Sequence, residues 1–139
     1  MEIENNEIKL NGTVLINLKF NGLPPTVNQM YRNSTFGSCR YTRRYKTAAC
    51  RKFQESLVAL LKAQWNGKTQ ILQRVSLYVN FSQKDRRRWD IDNRIKSLQD
   101  CLQLSGIIKD DSQIDLLILE RQHGSKESTT QLILRLLED

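Results

Sequence analysis

Cysteine and histidine are scarce in this chain, and each scarcity removes a class of function. Three cysteines (Cys39, Cys50, Cys101) are an odd number at no metal-ligand spacing. They argue against a disulfide framework and a zinc knuckle, and for reduced thiols. The one histidine, His123, cannot build a histidine-rich zinc site and reads as a surface residue of a turn. No apolar run approaches the roughly 18–20 residues that a membrane helix needs. The opening MEIENNEIKL carries acids and asparagines where a signal peptide wants a basic start and an apolar stretch. A cytoplasmic protein with no membrane partner and no small-molecule cofactor is expected. Its 139 residues suit a single domain, 1–139, in which 1–11 form an N-terminal extension.

What the chain does have is positive charge. The formal net charge is +7, and a balance of that size suits a polyanion, of which nucleic acid is the commonest. Seven of the 22 basic residues fall between Arg32 and Lys52 with no acid among them. Four more flank Asp85 in the run Lys84, Arg86, Arg87, Arg88. Arg32, Arg40, Arg43, Arg44 and Lys46 interleave with Tyr31, Tyr41 and Tyr45. Such a mixture can grip phosphates and stack on exposed bases. These residues and the 84–88 run are the candidate DNA contacts.

Hydrophobic spacing predicts the order β-α-β-α-β-β. Thr13–Phe20 alternates as a strand, stopped by Gly22 and the Pro24-Pro25 pair. Residues 22 to about 45 lack a period and read as a long functional loop, with Gly37 and Ser38 at a mobile tip. A helix over Thr47–Trp65 carries Ala49, Phe53, Leu57, Leu60, Leu61 and Gln64 as its inward stripe, with Gly67 past its end. Arg74–Phe81 is a strand. Asn93–Leu104 is a helix burying Ile91, Ile95, Leu98 and Leu102 and ending at Gly106. Ile114–Arg121 and Thr130–Leu137 are strands joined through 122–129 as a hairpin. The fold class is α+β: a two-layer sandwich with two helices against a mixed sheet.

The chemistry concentrates between Lys84 and Gln113. Asp90 and Asp92 are two apart, so an extended backbone projects both to one side. Asp92 or Asn93 suits a helix N-cap. Asp92, Lys96 and Asp100 follow at intervals of four and share a helical face. Asp110 and Asp111 come after a helix of about twelve residues, ~18 Å long, so their meeting with Asp90 and Asp92 depends on tertiary packing. Three converging carboxylates repel unless a hard cation binds, and Mg²⁺ takes carboxylate, water and phosphate oxygens. A lysine beside them can stabilise a scissile phosphate. Read singly, each acid is equally a cap, an ion pair or turn chemistry, and Asp100 is the most even case.

The stretch RRRWDIDNRIKSLQDCLQLSGIIKDDSQI resembles the signature of the RusA family of Holliday junction resolvases. That pattern, R-x-D-x-D-N-x-x-K, D-x-L and G-x-x-x-D-D-x-x-I/V, falls without a gap on Arg88, Asp90, Asp92, Asn93, Lys96, Asp100, Leu102, Gly106, Asp110, Asp111 and Ile114. LPPTVNQMYR resembles the family's P-P-x-x-N-x-x-Y/R element, so the resemblance spans roughly 13–137. It implies a RusA-like fold, a homodimer on a four-way junction, and symmetric nicks made with Mg²⁺, Mn²⁺ serving as a substitute. It implies Asp90, Asp92 and Asp111 as metal-binding catalytic carboxylates and Lys96 as the catalytic or phosphate-binding lysine. Asn93, Asp100 and Asp110 would support them. A bacterial or phage source is also implied. The 1–11 extension and the arginine- and tyrosine-rich 32–45 segment depart from the family pattern. The competing expectations are a non-catalytic basic DNA-binding module on the same fold and an RNA- or protein-docking surface.

Overall fold

The computed structural model describes residues 2–4, 7–9, 11–35 and 42–137. Two short strands, β1 (Glu2–Glu4) and β2 (Glu7–Lys9), pair antiparallel with each other. The next strand, β3 (Val14–Asn21), leads through the proline pair to a single-turn helix α1 (Val27–Met30). Thr26 and Gln29 close a capping box around that turn. Strands β4 (Tyr31–Thr35) and β5 (Thr42–Lys46) follow, then α2 (Ala48–Trp65), β6 (Val75–Gln83), α3 (Ile95–Leu104), β7 (Ile114–His123) and β8 (Thr129–Leu136).

Four strands form the main sheet in the order β3-β8-β6-β7. β6 and β7 are parallel, and the other neighbours are antiparallel. Alternation on β6 sends Val75, Leu77, Val79 and Phe81 to one face, where Leu57 and Leu61 of α2 and Leu98 and Leu102 of α3 complete one core. The other face carries polar pairs across strands: Tyr78 Oη donates to Glu120 Oε2 (2.6 Å) and Gln131 Nε2 to Asn17 Oδ1 (3.1 Å). The α+β class with a mixed sheet therefore holds, with three α-helices among the described residues in place of two.

Three expectations need correction. β7 and β8 are not a hairpin, because β6 lies between them. Since α3 returns the chain parallel to β6, β7 takes one side of β6 and β8 must take the other. The connection 124–128 arches over the end of β6, where Ser125 N–H donates to Gln83 O and Lys84 N–H to Ser128 Oγ. The supposed long loop is a hairpin: Arg32 pairs with Tyr45, Asn33 with Arg44 and Ser34 with Arg43. It pairs with itself and not with the main sheet, so it has no apolar alternation to announce it. The tip, with Gly37, Ser38 and Arg40, lies outside the described residues. Finally, the inward stripe of α2 is Cys50, Gln54, Leu57, Leu61 and Trp65; Leu60 is exposed and Phe53 half-buried against Phe20.

Candidate active site and nucleic-acid interface

The acidic turn begins where β6 ends. Gln83 is buried, and its amide organises the basic run that follows. Its Nε2 donates to Asp85 Oδ1 (2.6 Å) and to Arg87 O (3.0 Å), and its Oε1 accepts from Trp89 Nε1 (2.8 Å). These bonds, with that from Arg87 N–H, hold the Asp85 carboxyl below the ordinary carboxylate range. A 3₁₀ turn over Ile91–Arg94 then precedes α3. Asp90 occupies its N-cap position, yet its carboxylate makes no capping bond and is exposed. Asp92 is exposed in the turn itself. Neither Asp92 nor Asn93 caps α3, whose N-cap is Arg94 without a side-chain bond. Asp92 lies in this 3₁₀ turn, before α3 begins at Ile95, and so falls outside the helix whose face carries Lys96 and Asp100.

Beside Asp90 opens a cleft of about 800 Å³, lined by Arg86, Arg87, Arg88, Trp89, Asp90, Asn93, Arg121 and His123. Four guanidinia face one carboxylate of the acidic turn. That imbalance favours a polyanion in the cleft. Arg121 and His123 escaped the sequence reading. They continue the inward phase of Leu117 and Leu119 along β7, and a charge on that phase was the available signal.

Lys96 and Asp100 form an ion pair at 2.9 Å, one turn apart on α3. The Asp100 bond raises the Lys96 pKa above its ordinary value of 10.5 against the opposing effect of burial. The charges of Asp100, Asp111 and Tyr31 add to the rise. Lys96 is thus a permanent cation at neutral pH, suited to holding a phosphate oxygen and unsuited to removing a proton. The neighbouring thiols are not alternatives: burial pushes Cys101 up to about 12 and Cys50 upward as well, which suppresses thiolate.

Asp110 and Asp111 divide their labour. Asp110 caps the 3₁₀ turn Asp111–Gln113, its carboxylate accepting from Ser112 N–H (3.1 Å), and the Ser112 bonds hold its pKa down. Asp111, half-buried, is the first residue of that turn and is free of capping duty. Gln113 secures the turn with four bonds. Its Oε1 accepts from Lys109 N–H and Asp110 N–H, and its Nε2 donates to Ile71 O and Gln73 O. Gln113→Ala is therefore expected to lower unfolding stability by about 2 kcal/mol, measured by urea titration, because at least two partners lose their bond.

Lys96, Asp100 and Asp111 share one electrostatic neighbourhood. Asp90 and Asp92 precede α3 and Asp111 follows it, and the chain folds back far enough for the Asp111 charge to act on Lys96 in the first turn of that helix. Among the described residues no three His, Cys, Asp or Glu side chains come close enough to hold a metal ion. Of the candidate DNA contacts, Arg32, Lys84, Arg86, Arg87 and Arg88 are exposed. Lys46 donates to Gln54 Oε1 (2.9 Å), and Arg43 and Arg44 are placed as members of β5. No helix among the described residues is long and apolar enough to cross a membrane.

The family model for the RusA endodeoxyribonuclease matches residues 22–134. No match was found among curated proteins.

Proposed function

Because the chain belongs to the RusA endodeoxyribonuclease family, over most of its length, and is therefore an endonuclease of the kind that resolves Holliday junctions, we propose that it cuts four-way DNA junctions by paired nicks in opposed strands, as a Mg²⁺-dependent homodimer. The observation carrying this reading is the arginine cleft opening directly onto Asp90, with a fixed cation, Lys96, on the adjoining helix.

We assign Asp90, Asp92 and Asp111 as the carboxylates and Lys96 as the group that holds the scissile phosphate. Their donor type, oxygen alone, fits a hard divalent cation, with Mn²⁺ able to replace Mg²⁺. When bound, such a cation neutralises phosphate charge and acidifies water. A C2 dimer matches the approximate two-fold symmetry of a junction, and paired nicks require two equivalent sites. Asn93, which lines the cleft and donates its N–H to Asp90 O (2.9 Å), and Asp100 and Asp110, already paired or capping, support the others.

The basic residues bind backbone phosphate, and junction shape supplies selectivity. Junction affinity should fall steeply between about 50 and 200 mM salt. Removing Arg86, Arg87 and Arg88 together should reduce the slope of log K against log salt by about 2–3, one increment of ~0.9 per lost phosphate contact. Fluorescence anisotropy across a salt series reads both. The activity itself is tested with a four-way junction labelled on each strand in turn. Symmetric, metal-dependent nicks are expected. Tight binding without product in Mg²⁺ or Mn²⁺ would instead identify a non-catalytic junction-binding module.

A further inference from the structure

We propose that Trp89 is the positioning residue for Asp90, a role that rests on reading Asp90 as a catalytic carboxylate. The run Lys84 to Arg88 has no helix or strand of its own and carries four like charges; the Gln83 and Asp85 bonds hold it as far as Arg87, and beyond them Trp89 is its anchor. Trp89 is gripped from three directions. Phe81 of β6 meets its ring edge-on at 5.3 Å between centroids and 81° between planes. Gln83 accepts from its Nε1. Arg94 and Arg121 lie over the indole at 4.8 and 4.9 Å from its centroid.

One of these residues, Arg121, bears directly on Asp90. Arg121 both packs on the indole and donates through Nη1 to the Trp89 carbonyl. A peptide unit is planar, so a bond to that carbonyl fixes the N and Cα of Asp90 as well. On the other side, Asn93 N–H donates to Asp90 O at 2.9 Å. Asp90 therefore sits between two pinned peptide planes, at φ −70° and ψ 130°, with its carboxylate left exposed. Arg94 closes the clamp. Its Nη1 donates to Pro24 O, its Nε is buried without a partner, and the indole face is its remaining compensation. A tryptophan that merely filled the core would need none of the guanidinium contacts.

The test uses the full chain, four-way junction DNA and Mg²⁺. Trp89→Ala is expected to lower kcat about thirtyfold, the scale of a sub-ångström misplacement, with metal-free junction Kd and KM within about threefold of the parent. Trp89→Phe keeps the ring contacts and loses only the Gln83 bond, so it should recover kcat to within about fivefold. Parental kcat in Trp89→Ala, an equal loss in Kd, or phenylalanine no better than alanine would each overturn the proposal. If the alanine variant does not fold, Arg121→Met decides: it removes the bond to the Trp89 carbonyl, and parental kcat at saturating junction would reject the clamp. Asp90→Asn run beside them separates the two readings. An Asp90→Asn protein that cuts normally rejects the carboxylate assignment itself, whereas an inactive one beside an active Trp89→Ala rejects only the clamp.

Discussion

Asp90→Asn and Asp111→Asn are each expected to reduce junction cutting at least about a thousandfold while junction binding is kept or strengthened. Asparagine preserves the shape of the side chain, and neither aspartate caps a helix or turn with its carboxylate, so the fold loses little. What disappears is one negative charge: repulsion toward DNA phosphate falls, and so does the capacity to hold a divalent cation. Gel-shift and cutting assays on the same preparation check both halves, and wild-type turnover in either variant would remove that aspartate from the mechanism. A mixed dimer of the two variants makes a second, sharper test. Should Asp90 of one copy work with Asp111 of another, a mixed dimer of the two variants places both substitutions in one site and leaves the other intact. Random mixing should then restore about a quarter of the parental sites, cutting one strand without its partner. Absence of any recovery after subunit exchange would instead place the three carboxylates together within one chain on DNA.

The sequence exposed this chain unevenly, and the reason is where each signal is written. Strands β3, β6 and β8 and helices α2 and α3 were legible to within a few residues, because each buries one face and burial imposes a period. The β4–β5 hairpin forms a sheet of its own and does not pair with the main sheet, so its arginines and tyrosines show charge without a strand period. On α2 Leu57 and Leu61 were read correctly, but in the first half of the helix Gln54 and Cys50 hold the core positions that apolar counting gives to Phe53 and Ala49. Topology was invisible for another reason. Gln122 to Thr129 has the composition of a tight turn, but the choice of neighbour for β8 is made by the whole sheet. In the site, the Lys96–Asp100 pair followed from helical spacing alone. The division between Asp110 as cap and Asp111 as available carboxylate required the turn geometry, and the joining of Arg121 and His123 to the arginine run required the parallel register of β6 and β7.

Lys96→Ala is expected to lower kcat about a hundredfold with little effect on folding. The side chain is 45% exposed, and its i,i+4 partnership with Asp100 is of a kind that contributes only about 0.3–0.5 kcal/mol. The sign of its pKa shift decides the role. Because the folded value is raised, the charged form and the pairing it supports are fully present below the unfolded value of 10.5, and are lost only as pH climbs through the raised folded value. Throughout the range in which the enzyme is assayed the group is an unchanging cation. The kcat–pH profiles of the parent and Lys96→Arg should therefore run parallel from about pH 6 to 9, with arginine keeping the charge but not the reach of the ammonium. A limb in that range present in the parent and absent in Lys96→Ala would mean that the lysine titrates during turnover and acts as a proton carrier. Asp100→Asn removes the largest cause of the raised value, yet leaves the ammonium under the influence of the Asp111 charge. It should cost only a few-fold in kcat, because the charge meeting the phosphate survives while its preset orientation is lost.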